Sequence, residues 1–91
     1  MTQAQADATD WRGTDQGTKL KPGGSSGLNI PLAGYRGTDG SFYGLSSYAN
    51  LWSSSESGAS AWGRFLLSGG AAVDRDTGGK GYGFSVRCLR N

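Results

Sequence analysis

Glycine occurs throughout this chain and limits what the chain can fold into. There are 17 glycines among 91 residues, and the apolar runs between them are short. Glycine destabilises the interior of a helix but suits tight turns. The sequence therefore predicts a mainly β domain with long irregular loops and short antiparallel strands, and an α+β architecture at most.

The length of the chain limits it to one domain with a small core. Hydrophobic residues make up 35% of the chain and aromatic residues 11%, so aromatic rings must supply much of the buried area. A domain of this size often completes its core by self-association. Residues 1–10 are expected to be a lead-in, either a short helix or a frayed end, and residues 11–91 form the domain.

The charge of the chain argues against several partners. The net charge is only +2, and the nine lysines and arginines are scattered singly, which does not provide a basic surface for nucleic acid. No apolar run approaches the length of a membrane-spanning helix, so membrane insertion is not expected. The N-terminus has neither the basic region nor the apolar region of a signal peptide.

Strands are predicted mainly in the second half of the chain. The candidates are residues 46–56 and 61–67, followed by residues 71–76 and a turn at 77–80. Residues 81–89 alternate most regularly, with Tyr82, Phe84, Val86 and Cys88 on one face. This alternation predicts a closing strand whose aromatic face packs on the core.

The first half of the chain gives weaker signals. Residues 18–21 are predicted to form a short extended segment that ends at Pro22. Residues 23–27 are rich in glycine and serine and predict a surface loop. Pro31 and Gly34 exclude a central strand over residues 28–36, which we expect to be an irregular packed loop.

The composition excludes most catalytic and metal-binding sites. The chain has no histidine and one cysteine, which removes Ser-His-Asp and Cys-His catalysis and the usual zinc sites. Asp74 and Asp76 would share a strand face and could help to bind Ca²⁺, but structural carboxylates are the favoured interpretation. We therefore expect no enzyme activity, no metal and no cofactor.

Arginine and aromatic residues are the remaining candidates for structural or binding roles. Arg64, Arg75 and Arg87 lie among apolar strand residues, and we expect Glu56 or an aspartate to pair with each of them. Trp52 and Trp62 are predicted to be core residues. Exposed aromatic residues in loops would suit a recognition surface, because they give a large rigid contact area.

Several stretches resemble the Fibrobacter succinogenes major paralogous domain. They are Leu-Trp-Ser-Ser-Ser-Glu at 51–56, Ala-Trp-Gly-Arg-Phe-Leu at 61–66, Val-Asp-Arg at 73–75 and Gly-Phe-Ser-Val-Arg-Cys at 83–88. The resemblance extends from about Trp11 to the end of the chain. It implies a C-type-lectin-like fold, in truncated form. The N-terminal portion usual in that family, with its arginine-leucine-proline motif, is not found here, so the chain resembles the C-terminal half of the fold.

The resemblance, together with the strand pattern and the exposed aromatic residues, assigns roles to individual positions. Framework roles fall on eight residues: Trp52, Glu56, Trp62, Arg64, Arg75, Phe84, Arg87 and Cys88. Ligand contacts are expected at eight others: Tyr48, Asn50, Phe65, Leu67, Asp74, Asp76, Thr77 and Tyr82.

These observations favour a non-enzymatic ligand-binding or display module whose ligand is a protein or a carbohydrate. The parent protein is expected to be secreted or on the cell surface. The alternative is a structural unit that only self-assembles, since a partial fold leaves strand edges uncovered and favours homo-oligomers.

Overall fold

The computed structural model describes residues 2–88 and contains two short helices and six strands. In chain order these are α1 (Gln3–Asp7), β1 (Asp10–Arg12), α2 (Gln16–Leu20), β2 (Tyr35–Arg36), β3 (Phe42–Tyr43), β4 (Tyr48–Ser57), β5 (Ser60–Leu67) and β6 (Val73–Gly79). The mainly β prediction is confirmed. No helix among residues 2–88 is long and apolar enough to cross a membrane.

The strands form two antiparallel sheets. The larger sheet has the order β1-β6-β5-β4, and the smaller one pairs β2 with β3. Strands β4 and β5 form a hairpin that turns at Gly58, whose φ of 60° suits glycine. The pairing of β4 with β5 is irregular between Trp52 and Glu56. The three strands predicted between residues 46 and 76 are therefore present, and β6 continues through the residues predicted to form a turn.

An aliphatic core covers one face of the larger sheet. Ala49, Leu66 and Val73 lie on neighbouring strands, and Ile30 packs on them from the loop that follows α2. Leu66 is only 1% exposed, and burying a leucine side chain stabilises the fold by about 2 kcal/mol. Residues 28–33 form an irregular packed loop as predicted, and the N–H of Ile30 donates to the Leu20 carbonyl at 2.9 Å. The prediction of an irregular loop through residue 36 is wrong at Tyr35 and Arg36, which form β2 by pairing with β3.

The prediction of an extended segment at residues 18–21 is wrong, because this stretch belongs mostly to helix α2. The Gly17 N–H donates to the Ala71 carbonyl at 2.7 Å, so the helix lies directly against the chain before β6. A Cβ atom at position 17 would lie 2.3 Å from the Ala72 carbonyl oxygen. In a sequence pattern, glycine argues against a helix. At position 17, however, glycine is required, because two backbones approach each other closely there.

The N-terminal lead-in is a helix rather than a frayed end. Thr2 and Gln5 form a capping box at its start. Its C-terminal end is held by two arginines: Arg12 Nε donates to the Gln5 carbonyl at 3.0 Å, and Arg75 Nη1 donates to the Asp7 carbonyl at 2.7 Å. These charge-assisted hydrogen bonds attach α1 to strands β1 and β6.

The expected ion pairs between arginines and carboxylates are not found among residues 2–88. Arg75 instead lies over the Trp62 ring, with its Cζ 3.9 Å from the ring centroid, and Arg64 donates to the neighbouring Gly63 carbonyl. Glu56 pairs with Lys80 at 2.8 Å. For Arg75, the Asp7 carbonyl of α1 and the face of the Trp62 ring therefore replace the predicted carboxylate partner.

The prediction of a closing strand at residues 81–89 is wrong over the described part, and Leu89 lies outside the described residues. The segment crosses from one sheet to the other and makes one bridge to each. Gly83 exchanges two hydrogen bonds of 2.8 Å with Arg36, and Ser85 bonds to the backbone of β4. Tyr82, Val86 and Cys88 are consequently exposed, and of that predicted face only Phe84 is half-buried.

Candidate functional site

The second face of the larger sheet forms the floor of an open cleft. The cleft has a volume of about 470 Å³, and the crossing segment and Tyr35 of β2 form its other side. Four floor residues lie in register across the four strands, with Asn50 opposite Phe65, Phe65 opposite Asp74, and Asp74 opposite Trp11. Because side chains alternate along a strand, the same strands carry the aliphatic core on the opposite face.

Phe84 lies at the centre of an aromatic cluster within this cleft. Its ring stacks on Trp52 with 4.1 Å between centroids, and it meets the edges of Phe65 at 5.4 Å and Tyr35 at 6.2 Å. Tyr82 extends the cluster, 6.1 Å from Phe84. These separations and tilts are typical of stabilising aromatic pairs. The cluster therefore fixes the crossing segment against β4 and β5.

Gly78 has no side chain, and the stacked rings of Phe84 and Trp52 occupy the space beside it. A Cβ atom at this position would lie 3.1 Å from Phe84 Cε2 and 3.2 Å from Trp52 Cη2. Those contacts are tighter than ordinary van der Waals separation, so a larger residue would require the rings to shift by a few tenths of an ångström. Gly78 thus helps to shape the cleft through the absence of a side chain.

Three polar side chains of the cleft are hydrogen-bond acceptors. Asn50, Asp74 and Asp76 line it, and within residues 2–88 neither the buried Oδ1 of Asn50 nor that of Asp74 accepts a hydrogen bond. Burial raises the pKa of the Asp74 carboxyl, and the negative charges of Asp76 and Asp10 raise it further, while Arg12 opposes them. The floor is therefore acidic and has acceptors that lack a donor.

The structure brings together most of the residues that the sequence assigned to ligand contact. Seven of them line the cleft: Tyr48, Asn50, Phe65, Asp74, Asp76, Thr77 and Tyr82. Leu67 is not among the lining residues. It lies at the end of β5, where it pairs with Tyr48 and its carbonyl accepts a hydrogen bond from Lys21 Nζ.

Five lining residues were not predicted as contacts, and two of them are the glycines Gly78 and Gly79. Trp11 and Tyr35 come from the first half of the chain, and Phe84 was assigned to the framework. In β1, Arg12 is buried and Trp11 faces the other way, which is the reverse of what a Trp-Arg alternation predicts from the sequence. The pairing of β1 with β6, which brings Trp11 to the cleft, was not visible in the sequence.

The framework residues divide into two groups. Trp52, Trp62, Arg64, Arg75 and Phe84 are half-buried. The prediction that Trp52 and Trp62 are core residues is therefore wrong, because the buried core is aliphatic. Cys88 and Arg87 are exposed, because residues 86–88 continue beyond the bridge at Ser85 without joining a strand. Placing Cys88 in the core was therefore wrong, and Glu56 is exposed at the end of β4, where it contacts Lys80.

No three carboxylates or thiols among residues 2–88 converge on a point where a metal ion could be held. The carboxylates of the floor lie on one strand, at Asp74 and Asp76, with aromatic rings around them. Side chains of these types bind through stacking, hydrogen bonds and charge.

Comparison with known proteins identifies the family. Searches of curated proteins and of solved structures found no significant match. The family model described as the Fibrobacter succinogenes major domain matches residues 1–90, nearly the whole chain. This match agrees with the resemblance of the motifs between residues 51 and 88, and the chain belongs to the Fibrobacter succinogenes major domain family.

Proposed function

We propose that this protein is a non-enzymatic ligand-binding module of C-type-lectin-like type, and that the cleft on the open face of the larger sheet is its binding site. The observation that carries the proposal is the cleft itself. Its volume of about 470 Å³ lies within the usual range for ligand sites, and such sites combine apolar walls with a few polar groups.

The side chains in the cleft support recognition rather than catalysis. The sequence has no histidine, and the one cysteine, Cys88, is exposed and is not part of the lining. Asp74 and Asp76 lie two residues apart on one strand rather than on opposing walls, whereas glycoside hydrolysis needs carboxylates on both sides of the scissile bond. The proposed ligands are a protein or a glycan.

Array binding with cleft variants tests this proposal. The wild-type chain is applied to glycan and protein arrays together with the variants Phe65→Ala and Tyr82→Ala. Phe42→Ala is the matched control, because Phe42 is 79% exposed and does not line the cleft. Loss of an array signal in both cleft variants but not in the control supports the site, whereas a ligand that both cleft variants retain contradicts it.

Self-assembly is the second candidate function, and exposed apolar residues favour it. Phe42, Leu45 and Val86 are 79%, 76% and 64% exposed, so these apolar side chains are available for contact with a second copy of the chain. Light scattering during size-exclusion chromatography measures the mass in solution. A monomer at all concentrations contradicts assembly, while an oligomer that Phe42→Ser and Leu45→Ser dissociate supports it.

A further inference from the structure

The ionisable groups around the cleft carry one sign of charge. Asp74 and Asp76 line it, and none of the eight lysines and arginines within residues 2–88 is among its lining residues. Asp10 adds to the negative charge felt by Asp74, and Arg12 opposes it. Arg12 already donates to three backbone carbonyls. The charge of the cleft therefore complements a cation.

The walls of the cleft favour the same type of ligand. Six aromatic residues line it: Trp11, Tyr35, Tyr48, Phe65, Tyr82 and Phe84. The faces of aromatic rings attract cations, and the attraction grows when the cation is removed from water. The rings that surround the two carboxylates would contact the apolar part of such a ligand and would also attract its positive charge.

The acceptors on the floor add a requirement for hydrogen-bond donors. Within residues 2–88, Asn50 Oδ1 and Asp74 Oδ1 are buried and accept no hydrogen bond. An unsatisfied buried acceptor is costly, so a donor that reaches it gains more than a surface hydrogen bond would. A neutral glycan could donate to these atoms but would leave the repulsion between Asp74, Asp76 and Asp10 in place.

We propose that the cleft binds a hydrogen-bond-donating organic cation whose head group is a guanidinium or a primary ammonium. This inference rests on the proposed function of the cleft and specifies the chemistry of its ligand. The N–H groups of the head donate to Asn50, Asp74 and Asp76, and its alkyl stem lies among the rings. Such a head group occurs both in free amines and in the basic side chains of a peptide.

Titration with matched small molecules tests the charge requirement. Butylguanidinium and its neutral isostere butylurea are added to the full chain, and binding is followed by NMR shifts of the Asn50 side-chain amide and the Trp11 indole N–H. We expect butylguanidinium to bind about tenfold more tightly than butylurea, because the guanidinium adds a charge–charge attraction to Asp74 and Asp76 that the neutral urea lacks. Tetramethylammonium, which has no N–H donor, should bind more weakly than butylguanidinium. Equal binding of all three compounds overturns the inference.

Variants with the same change in net charge test the location. Asp74→Asn with Asp76→Asn should weaken butylguanidinium binding by about tenfold. The control, Asp15→Asn with Glu56→Gln, removes two exposed carboxylates outside the cleft and should leave binding unchanged. Equal losses in both pairs would mean that only the overall charge of the protein attracts the ligand, which contradicts the inference.

A peptide comparison identifies the source of the cation. A pentapeptide with a central arginine is compared with the same peptide carrying citrulline, and tighter binding of the arginine peptide than of butylguanidinium indicates a peptide ligand. If the cations do not shift the cleft resonances but an array ligand does, the cation inference fails while the proposed site stands. If neither shifts them, the proposed function fails as well.

Discussion

The indole of Trp52 stacks on the phenyl ring of Phe84, with 4.1 Å between the ring centroids and 30° between the ring planes. This contact joins β4 to the segment that crosses between the sheets. The Ser85 backbone binds the same strand, through hydrogen bonds of 3.0 and 3.1 Å to Asn50 and Trp52. Side chain and backbone therefore hold one wall of the cleft in position together.

Replacing Phe84 with alanine should lower the free energy of unfolding by about 3 kcal/mol, the lower end of the usual cost of removing a buried phenylalanine. The lower end applies because Phe84 is half-buried. Denaturant titration followed by circular dichroism measures the change. Phe42→Ala is the control, since Phe42 is 79% exposed, and equal losses in the two variants would show that the cluster contributes nothing specific.

Replacing Gly17 with alanine should destabilise the protein by about 2 kcal/mol, although alanine is the better helix former. The added Cβ would meet the Ala72 carbonyl oxygen at 2.3 Å, and that atom belongs to the backbone and cannot rotate away. Gly69→Ala is the matched control, because nothing lies within 4 Å of a Cβ at that position. A thermal melt compares the two, and a Gly17→Ala variant as stable as the control would contradict the packing of α2.

Replacing Arg75 with methionine should loosen helix α1. The variant loses the hydrogen bond from Nη1 to the Asp7 carbonyl and the contact with the Trp62 ring. Amide hydrogen exchange at Ala6 and Ala8, whose N–H groups bond within α1, should become faster by about tenfold. Arg87→Met is the control because Arg87 is exposed, and unchanged exchange in the Arg75 variant would show that the arginine does not hold the helix.

Asp74 should destabilise the folded protein at neutral pH. Its pKa is raised mainly by burial and then by Asp76 and Asp10, against the opposing effect of Arg12. When folding raises the pKa of a carboxyl, its contribution to stability is fully present below the pKa of the unfolded state, about 3.9. The contribution is lost as the pH rises through the pKa of the folded state. Asp74→Asn should therefore raise the unfolding midpoint at pH 7, and the gain should vanish near pH 3.

Asp39→Asn provides the comparison of opposite sign. The Tyr43 hydroxyl and the Ser41 N–H donate to the Asp39 carboxylate and lower its pKa. A carboxyl whose pKa is lowered by folding stabilises the folded protein above the pKa it has in the unfolded state, and this contribution is lost as the pH falls. Asp39→Asn should therefore lower the unfolding midpoint at pH 7 and have no effect near pH 3. The same direction of change in both variants at pH 7 would contradict the assignment for Asp74.

The strands β4, β5 and β6 could be predicted because short apolar runs lie between turn signals there. Asp74 and Asp76 were predicted to share a strand face, and both line the cleft. The segment around Phe84 alternates most regularly, yet it forms no strand. Its backbone pairs only at Gly83 and Ser85, each with a different sheet. The alternation of apolar and polar residues along a segment indicates which side chains can share a face. It does not indicate whether a partner strand lies beside the segment.

Trp11, Tyr35 and helix α2 depend on contacts between distant parts of the chain. Trp11 reaches the cleft because β1 pairs with β6 across more than 60 residues, and the pattern of a three-residue strand cannot specify such a partner. Helix α2 depends on the backbone at Ala71 and Ala72. The pairing of Asp15 with Lys19 was its local signal.

The two faces of the larger sheet are built from alternate residues of the same strands. Val73 belongs to the aliphatic core while the next residue, Asp74, lines the cleft, and the same holds for Leu66 and Phe65 and for Ala49 and Asn50. One set of these residues forms the core, and the alternate set faces the cleft that we propose as the binding site. Under that proposal, substitutions at every second residue of three strands would change what the cleft binds while leaving the core intact.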